Sequence, residues 1–352
     1  MTDPSDPVTP DPGAPDGDPA ADGARPAPDG APASAIAPAR PGIFSLEGRA
    51  VPALYLVGWI ATVMGVGVLV VSLLSAGSVA APWLFLAGLL VLTLGVIAAA
   101  GSQAVERGRR TDLAYRGPSP VLLFLVVVPL TLIGILVVLA PLSAFGLDAR
   151  SPFATTVSLL LTTLVYAGVI RLLVVGPGAL AWRDMGLAMP AAAAVRDLLV
   201  GAAFAVPVLV VTLLLGGVLS RFLAPAPNAL PPAGDALGLV ANLLSAAVLA
   251  PIGEELFFRG FATTAWAKAL GVGPAVVRGA IFFALAHVVT QLDSSFAEGA
   301  QRAAFSFVAL LPVGLALGWL FLRRRSLYAA IGLHAAFNGI QVLLLFAAAS
   351  AA

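Results

Sequence analysis

Two histidines, His287 and His334, are the only ones in 352 residues. Each has a partner at helical spacing. Phe283 and His287 are four apart, and so are His334 and Asn338. Upstream lie two adjacent carboxylates, Glu254 and Glu255, followed by Arg259. At about 100° per residue, Glu255 and Arg259 share one helix face and can pair. Glu254 is five residues from Arg259 and points elsewhere. One carboxylate therefore has a counter-ion on its own helix, and the other is left for chemistry. An acid, two imidazoles and an amide are the parts of an acid–base hydrolase. A neutral imidazole or carboxylate takes a proton from water, and amide and imidazole N–H groups steady an oxyanion.

These residues sit in apolar surroundings. The chain is 60% hydrophobic and 11% charged, with a mean hydropathy of +1.00. A soluble domain carries about 25% charged residues, so the composition excludes an ordinary soluble enzyme. No cysteine is present, which removes disulfides, thiolate zinc sites and a cysteine nucleophile. Residues 1–49 hold eight acids against three arginines, whereas residues 50–352 hold ten acids against sixteen bases. No basic nucleic-acid footprint stands out.

Apolar runs long enough for a membrane span need about 20 residues. Nine candidates are visible, near 52–74, 79–100, 121–142, 153–170, 198–219, 237–267, 276–290, 303–322 and 327–349. The seventh is short and carries His287. The expected fold is an all-α polytopic membrane protein of about nine transmembrane helices. Three regions are expected: a disordered Pro/Asp/Ala-rich cytosolic tail over 1–49, a four-helix membrane scaffold over 50–197, and a C-terminal core over 198–350. The tail has eleven prolines in its first 42 residues and too little apolar surface to fold alone. It lacks the pattern of a cleaved signal, so the first span is read as a signal-anchor.

Loop charges set the orientation. Twelve bases follow spans two, four, six and eight, and only Arg150, Arg221 and Arg302 lie in the alternate loops. The N-terminus is therefore expected in the cytosol of a multi-pass protein of the cytoplasmic membrane. The composition bias suggests a bacterial source. The run Arg323-Arg324-Arg325 is read as a topology anchor rather than a binding patch. His287 and His334 each lie nine residues from the nearest cytosolic arginine, Arg278 and Arg325. At 1.5 Å per residue both reach roughly 13 Å into a ~30 Å core. Glu254 reaches the same layer from its own helix. Burying such an acid costs roughly 2.5–3.5 kcal/mol on insertion scales, so a polar site is the default reading. Burial and a nearby cation pull a carboxylate's proton affinity in opposite directions, which suits Glu254 to general-base work. Water must reach this layer through a cavity among the last helices.

The ordered set of motifs resembles a known family. Glu254-Glu255-Leu256-Phe257-Phe258-Arg259 is similar to the E-E-x-x-x-R motif of the CAAX prenyl protease and bacteriocin-processing (CPBP) intramembrane proteases. Phe283–His287 is similar to the family's F-x-x-x-H, and His334–Asn338 to its H-x-x-x-N. Trp182–Leu187 is similar to a short segment that often precedes this core. The resemblance covers roughly 198–345. It implies an intramembrane endopeptidase of the glutamic type. Glu254 with His287 would activate water, His334 and Asn338 would form the oxyanion hole, and Glu255 and Arg259 would support the site. The implied partners are a membrane protein or peptide substrate and the lipid bilayer, with no nucleic acid. CAAX specificity does not carry over with the motifs, and oligomeric state is not legible.

Other readings stay open. Glu254, His287 and His334 are a valid His₂Glu zinc set, although no H-E-x-x-H occurs; no cofactor is expected, with zinc as the alternative. Neither a G-x-S-x-G nor a G-x-G-D motif is present, against serine and aspartyl intramembrane proteases. A non-catalytic scaffold or a bacteriocin-immunity protein would also keep intramembrane charges, and such charges mark proton relays as well.

Overall fold

A computed structural model of the chain describes residues 45–226, 230–288 and 296–351. Most of the acidic tail, and the end of the seventh expected span, lie outside these residues. Among the described residues there are nine helices and no strand. They are α1 (Pro52–Leu74), α2 (Ala81–Gly108), α3 (Pro120–Ala144), α4 (Pro152–Val175), α5 (Ala191–Leu219), α6 (Ala236–Leu270), α7 (Val272–Val288), α8 (Phe296–Arg324) and α9 (Leu327–Ala351). Eight are long and apolar enough to cross a membrane, and α7, with 17 residues, is the short one. The chain is a multi-pass membrane protein. Residues such as Val63, Leu73, Leu94, Val137, Leu164 and Leu214 are exposed on its outside, as lipid contact requires.

Local sequence sets the helix ends. Pro occupies the first turn of α1, α2, α3 and α4, where its missing N–H costs nothing. Ser151 caps α4 and Asp235 caps α6 through side-chain oxygens that accept backbone N–H groups. Gly271, at φ +88°, breaks α6 from α7 within one residue.

Small residues hold helix pairs together, as expected where lipid removes the hydrophobic drive between helices. A Cβ at Gly65 would lie 2.4 Å from Leu92 N, and one at Gly95 would lie 2.4 Å from Thr62 N. These contacts run α1 and α2 antiparallel. The α5–α9 pair is closer still. A Cβ at Gly201 would meet Ala329 O at 2.0 Å, and one at Gly332 would meet Leu198 O at 2.1 Å. Gly332 lies two residues before His334, so this backbone contact fixes the helix that carries the imidazole.

The loop before α5 is stitched to the ends of α6 and α9. Gly186 O accepts from Leu327 N at 3.0 Å, Leu187 O accepts from Tyr328 Oη at 3.2 Å, and Lys268 lies 3.3 Å from Asp184. Met185 is wholly buried. Gly186 sits at φ +73° with its α-carbon against Leu327, a place that no side chain could share.

Candidate active site

The helix that carries the carboxylates is not a regular α-helix. Within α6, Ser245–Leu249 and Leu256–Thr263 wind as π-helix. The turn widens just after Glu255, and the expected i,i+4 pairing of Glu255 with Arg259 holds within it. Such stretches are rare and collect at functional sites. Several features account for them. Pro251 has no N–H to give, which frees a carbonyl on the preceding turn. In the i→i−5 register that carbonyl is Ala246 O, and Asn338 Nδ2 donates to it at 2.9 Å. Thr163 Oγ1 on α4 donates to Leu249 O at 2.8 Å, and Thr156 shares a hydroxyl bond with Ser245 at 2.9 Å. Thr263 and Thr264 donate to the carbonyls five residues back, Phe258 O and Arg259 O. Gly253 lets α4 approach, since a Cβ there would be 2.8 Å from Thr163 Oγ1.

The six residues singled out in the sequence fall together, as two carboxylate–imidazole pairs. In the inner pair, Glu255 Oε1 accepts from His334 Nδ1 at 2.7 Å and from Arg259 Nη1 at 2.9 Å. Glu255 and Arg259 are wholly buried. The remaining N–H groups of the guanidinium are only partly satisfied. Nη2 reaches Gly314 O at 3.4 Å, while Nε has no hydrogen-bond partner among the described residues. The plane of Arg259 lies over the Phe283 ring, 4.2 Å from its centroid, a favourable contact for a desolvated cation.

In the outer pair, His287 Nε2 lies 3.5 Å from Glu254 Oε2. The His287 side chain is 35% exposed and that of Glu254 18%, against 6% and 0% for His334 and Glu255. The outer pair is thus the one that a reactant can reach. His287 Nδ1 lies 2.8 Å from Phe283 O. A carbonyl only accepts, so Nδ1 carries a proton and Nε2 is the nitrogen turned to Glu254. Glu254 Oε2 is buried and has no hydrogen-bond partner among the described residues.

Asn338, expected as an oxyanion donor, also braces α6. One of its amide hydrogens is spent on Ala246 O, which leaves the other. His334 likewise commits Nδ1 to Glu255 and leaves Nε2. As placed, the described side chains form two ligand pairs, and no group of three His, Asp or Glu is gathered to hold a metal ion.

Two contributions escaped the sequence reading. Phe283 is a hub: its ring centroid lies 4.5 Å from that of His287 and 5.8 Å from that of His334, besides carrying Arg259. Its motif position signalled it, but not its reach to both imidazoles. Helix α4 supplies Thr156 and Thr163, together with Tyr166, whose ring stacks 4.9 Å from Phe257. Hydroxyls seven residues apart on an apolar helix were the available signal.

Residues 236–340 match the family model described as Rce1-like, type II CAAX prenyl endopeptidase Rce1-like. The match runs from α6 into α9 and contains all six residues; α5, within the motif-based range, falls outside it. No curated protein and no solved structure matches the chain.

Proposed function

We propose, from the Rce1-like domain of this membrane protein, that the chain is an intramembrane endopeptidase of the glutamic type. The observation that carries the reading is the outer pair: Glu254 Oε2 faces His287 Nε2 at 3.5 Å, and the imidazole is oriented from behind by Phe283 O. A water bound between them gives a proton to this pair as its oxygen attacks the scissile carbonyl carbon. The tetrahedral oxyanion is met by the second amide hydrogen of Asn338 and, one helical turn away on α9, by Nε2–H of His334, whose ring carries a proton on each nitrogen in this step. Collapse breaks the C–N bond. The pair returns the proton to the leaving nitrogen, so one water yields a carboxylate and an amine.

Glu255 and Arg259 do not touch the reactants. They neutralise each other and hold His334 by Nδ1. Substrates are peptide bonds of membrane-associated proteins or peptides. The protein lies in the cytoplasmic membrane with its N-terminus in the cytosol, in line with the arginine-rich alternate loops. No metal takes part in this scheme.

The test compares membrane proteomes of cells that carry the wild-type chain or Glu254→Gln at equal abundance. The reading expects at least one membrane protein or peptide to accumulate uncut with the variant. Identical proteomes, with both forms inserted, would leave a non-catalytic scaffold or immunity protein.

A further inference from the structure

Away from this site, two grooves meet at the end of α8. One, of about 350 Å³, is lined by Val272, Val276, Trp319, Leu322, Arg323 and Arg325. The other, of about 400 Å³, is lined by Arg196, Asp197, Val200, Arg323 and Arg324. Arg323 borders both. In the second groove the charges are matched internally: Arg324 hydrogen-bonds Asp197, and Arg196 Nε lies 3.5 Å from the same carboxylate. In the first groove they are not. Neither Arg323 nor Arg325 meets an acid among the described residues. Arg325 also holds a left-handed backbone, at φ +52°. That position, just past a helix end, favours glycine. An arginine there brings a guanidinium to the groove mouth against backbone preference.

The groove is graded along the helix axes. Its guanidiniums sit at the end of α8. Trp319 lies one turn inward of Arg323, and Val276 one turn inward of Val272, each about 6 Å deeper. A cationic mouth leading into an aromatic and aliphatic wall complements a molecule with an anionic head and an apolar tail. Guanidinium forks suit phosphate oxygens. A bare phosphate would leave the wall unused.

We propose that the α7–α8 groove is a binding site for an anionic phospholipid, with its phosphate on Arg323 and Arg325 and an acyl chain along Trp319 and Val276. The arginine run is then more than a topology anchor. This inference does not rest on the proteolytic reading.

The test titrates the full chain, in neutral detergent, with dioleoyl phosphatidylglycerol or dioleoyl phosphatidylcholine, and counts bound lipid by native mass spectrometry. Saturable binding of the anionic lipid in preference to the zwitterionic one is expected. The double variant R323Q/R325Q should bind about thirty-fold more weakly, the loss for two arginines at a membrane surface. R323K/R325K keeps the charge without the fork and should fall between, which guards against misfolding of the glutamine form. R150Q, in the α3–α4 loop, should bind like wild type. Equal binding by R323Q/R325Q, or equal affinity for the two lipids, overturns the proposal. Displacement of the lipid by an equimolar amount of inorganic phosphate also overturns it, since the groove would then take phosphate alone.

Discussion

The guanidinium of Arg259 rests 4.2 Å from the centre of the Phe283 ring, and that ring stands nearly perpendicular to His334, at 80°. One aromatic side chain thus packs against the buried cation and both imidazoles. Phe283→Leu keeps an apolar side chain of smaller volume and loses the π face. It should cost about 2–3 kcal/mol of stability. Peptide cleavage should fall by up to about 10²-fold, the usual penalty for a reacting group displaced by an ångström. The check is a comparison of kcat and KM in proteoliposomes, where kcat should carry most of the loss.

Breaking the inner pair should be costlier for the fold than for any single contact. Arg259→Met strands the Glu255 carboxylate beneath His334, with burial complete on both sides. Removing one partner of a buried pair destabilises by about 3–5 kcal/mol. Denaturant unfolding in mixed micelles should record that drop, and the double variant R259M/E255Q should recover part of it. A double variant no better than the single would show that Arg259 acts mainly through Phe283 and Gly314.

If water is activated by Glu254 and His287 alone, cleavage should persist after dialysis against a strong chelator, and added zinc should not raise it. Elemental analysis of the active protein should find no stoichiometric metal. A rate abolished by chelation and restored by zinc would require the two carboxylate–imidazole pairs to rearrange into a three-ligand shell.

A pH dependence arises in the loop before α5, outside the spans. The Asp184 carboxyl is held below its usual range by the Ala181 N–H bond, with Lys268 adding its charge and burial opposing both. A depressed folded-state value means that the stabilisation is present above the unfolded pKa of about 3.9 and is lost as pH falls through the folded value. With the pair partly exposed, the contribution stays below about 1 kcal/mol. Asp184→Asn should melt slightly earlier than wild type at neutral pH, and the gap should close below about pH 4. A gap that is constant with pH would assign the effect to packing of Met185 instead.

Much of this architecture could be read from residue order. The spans were legible because apolar runs are long and their loops are charged; α1 ends where hydropathy says it should. The short α7 was the hardest span to read, because Arg278 and His287 interrupt its apolar run. The common level of Glu254, His287 and His334 was legible from matched depth, because rise per residue is nearly fixed in a helix, and Glu255, Arg259 and Asn338 were legible from spacing along the same helices. What was not legible is the winding of α6. Its π stretches depend on partners far along the chain, Thr163 and Asn338, that meet Leu249 O and Ala246 O only after folding. The split of the imidazoles into separate pairs was hidden for the same reason. Depth says how far a side chain lies along an axis, but not which neighbour it turns to.

The loose coil after Glu255 has a corollary for how this chain tolerates change in length. Eight residues, Leu256–Thr263, are wholly buried and wound one residue wide. Dropping Leu256, Phe257 or Phe258 would leave Arg259 three residues after Glu255 instead of four, out of its present place on the helix. The Glu255–Arg259 pair would lose its spacing, with hydropathy almost unchanged. The matched segment is therefore far less forgiving of a lost codon than of a swapped letter.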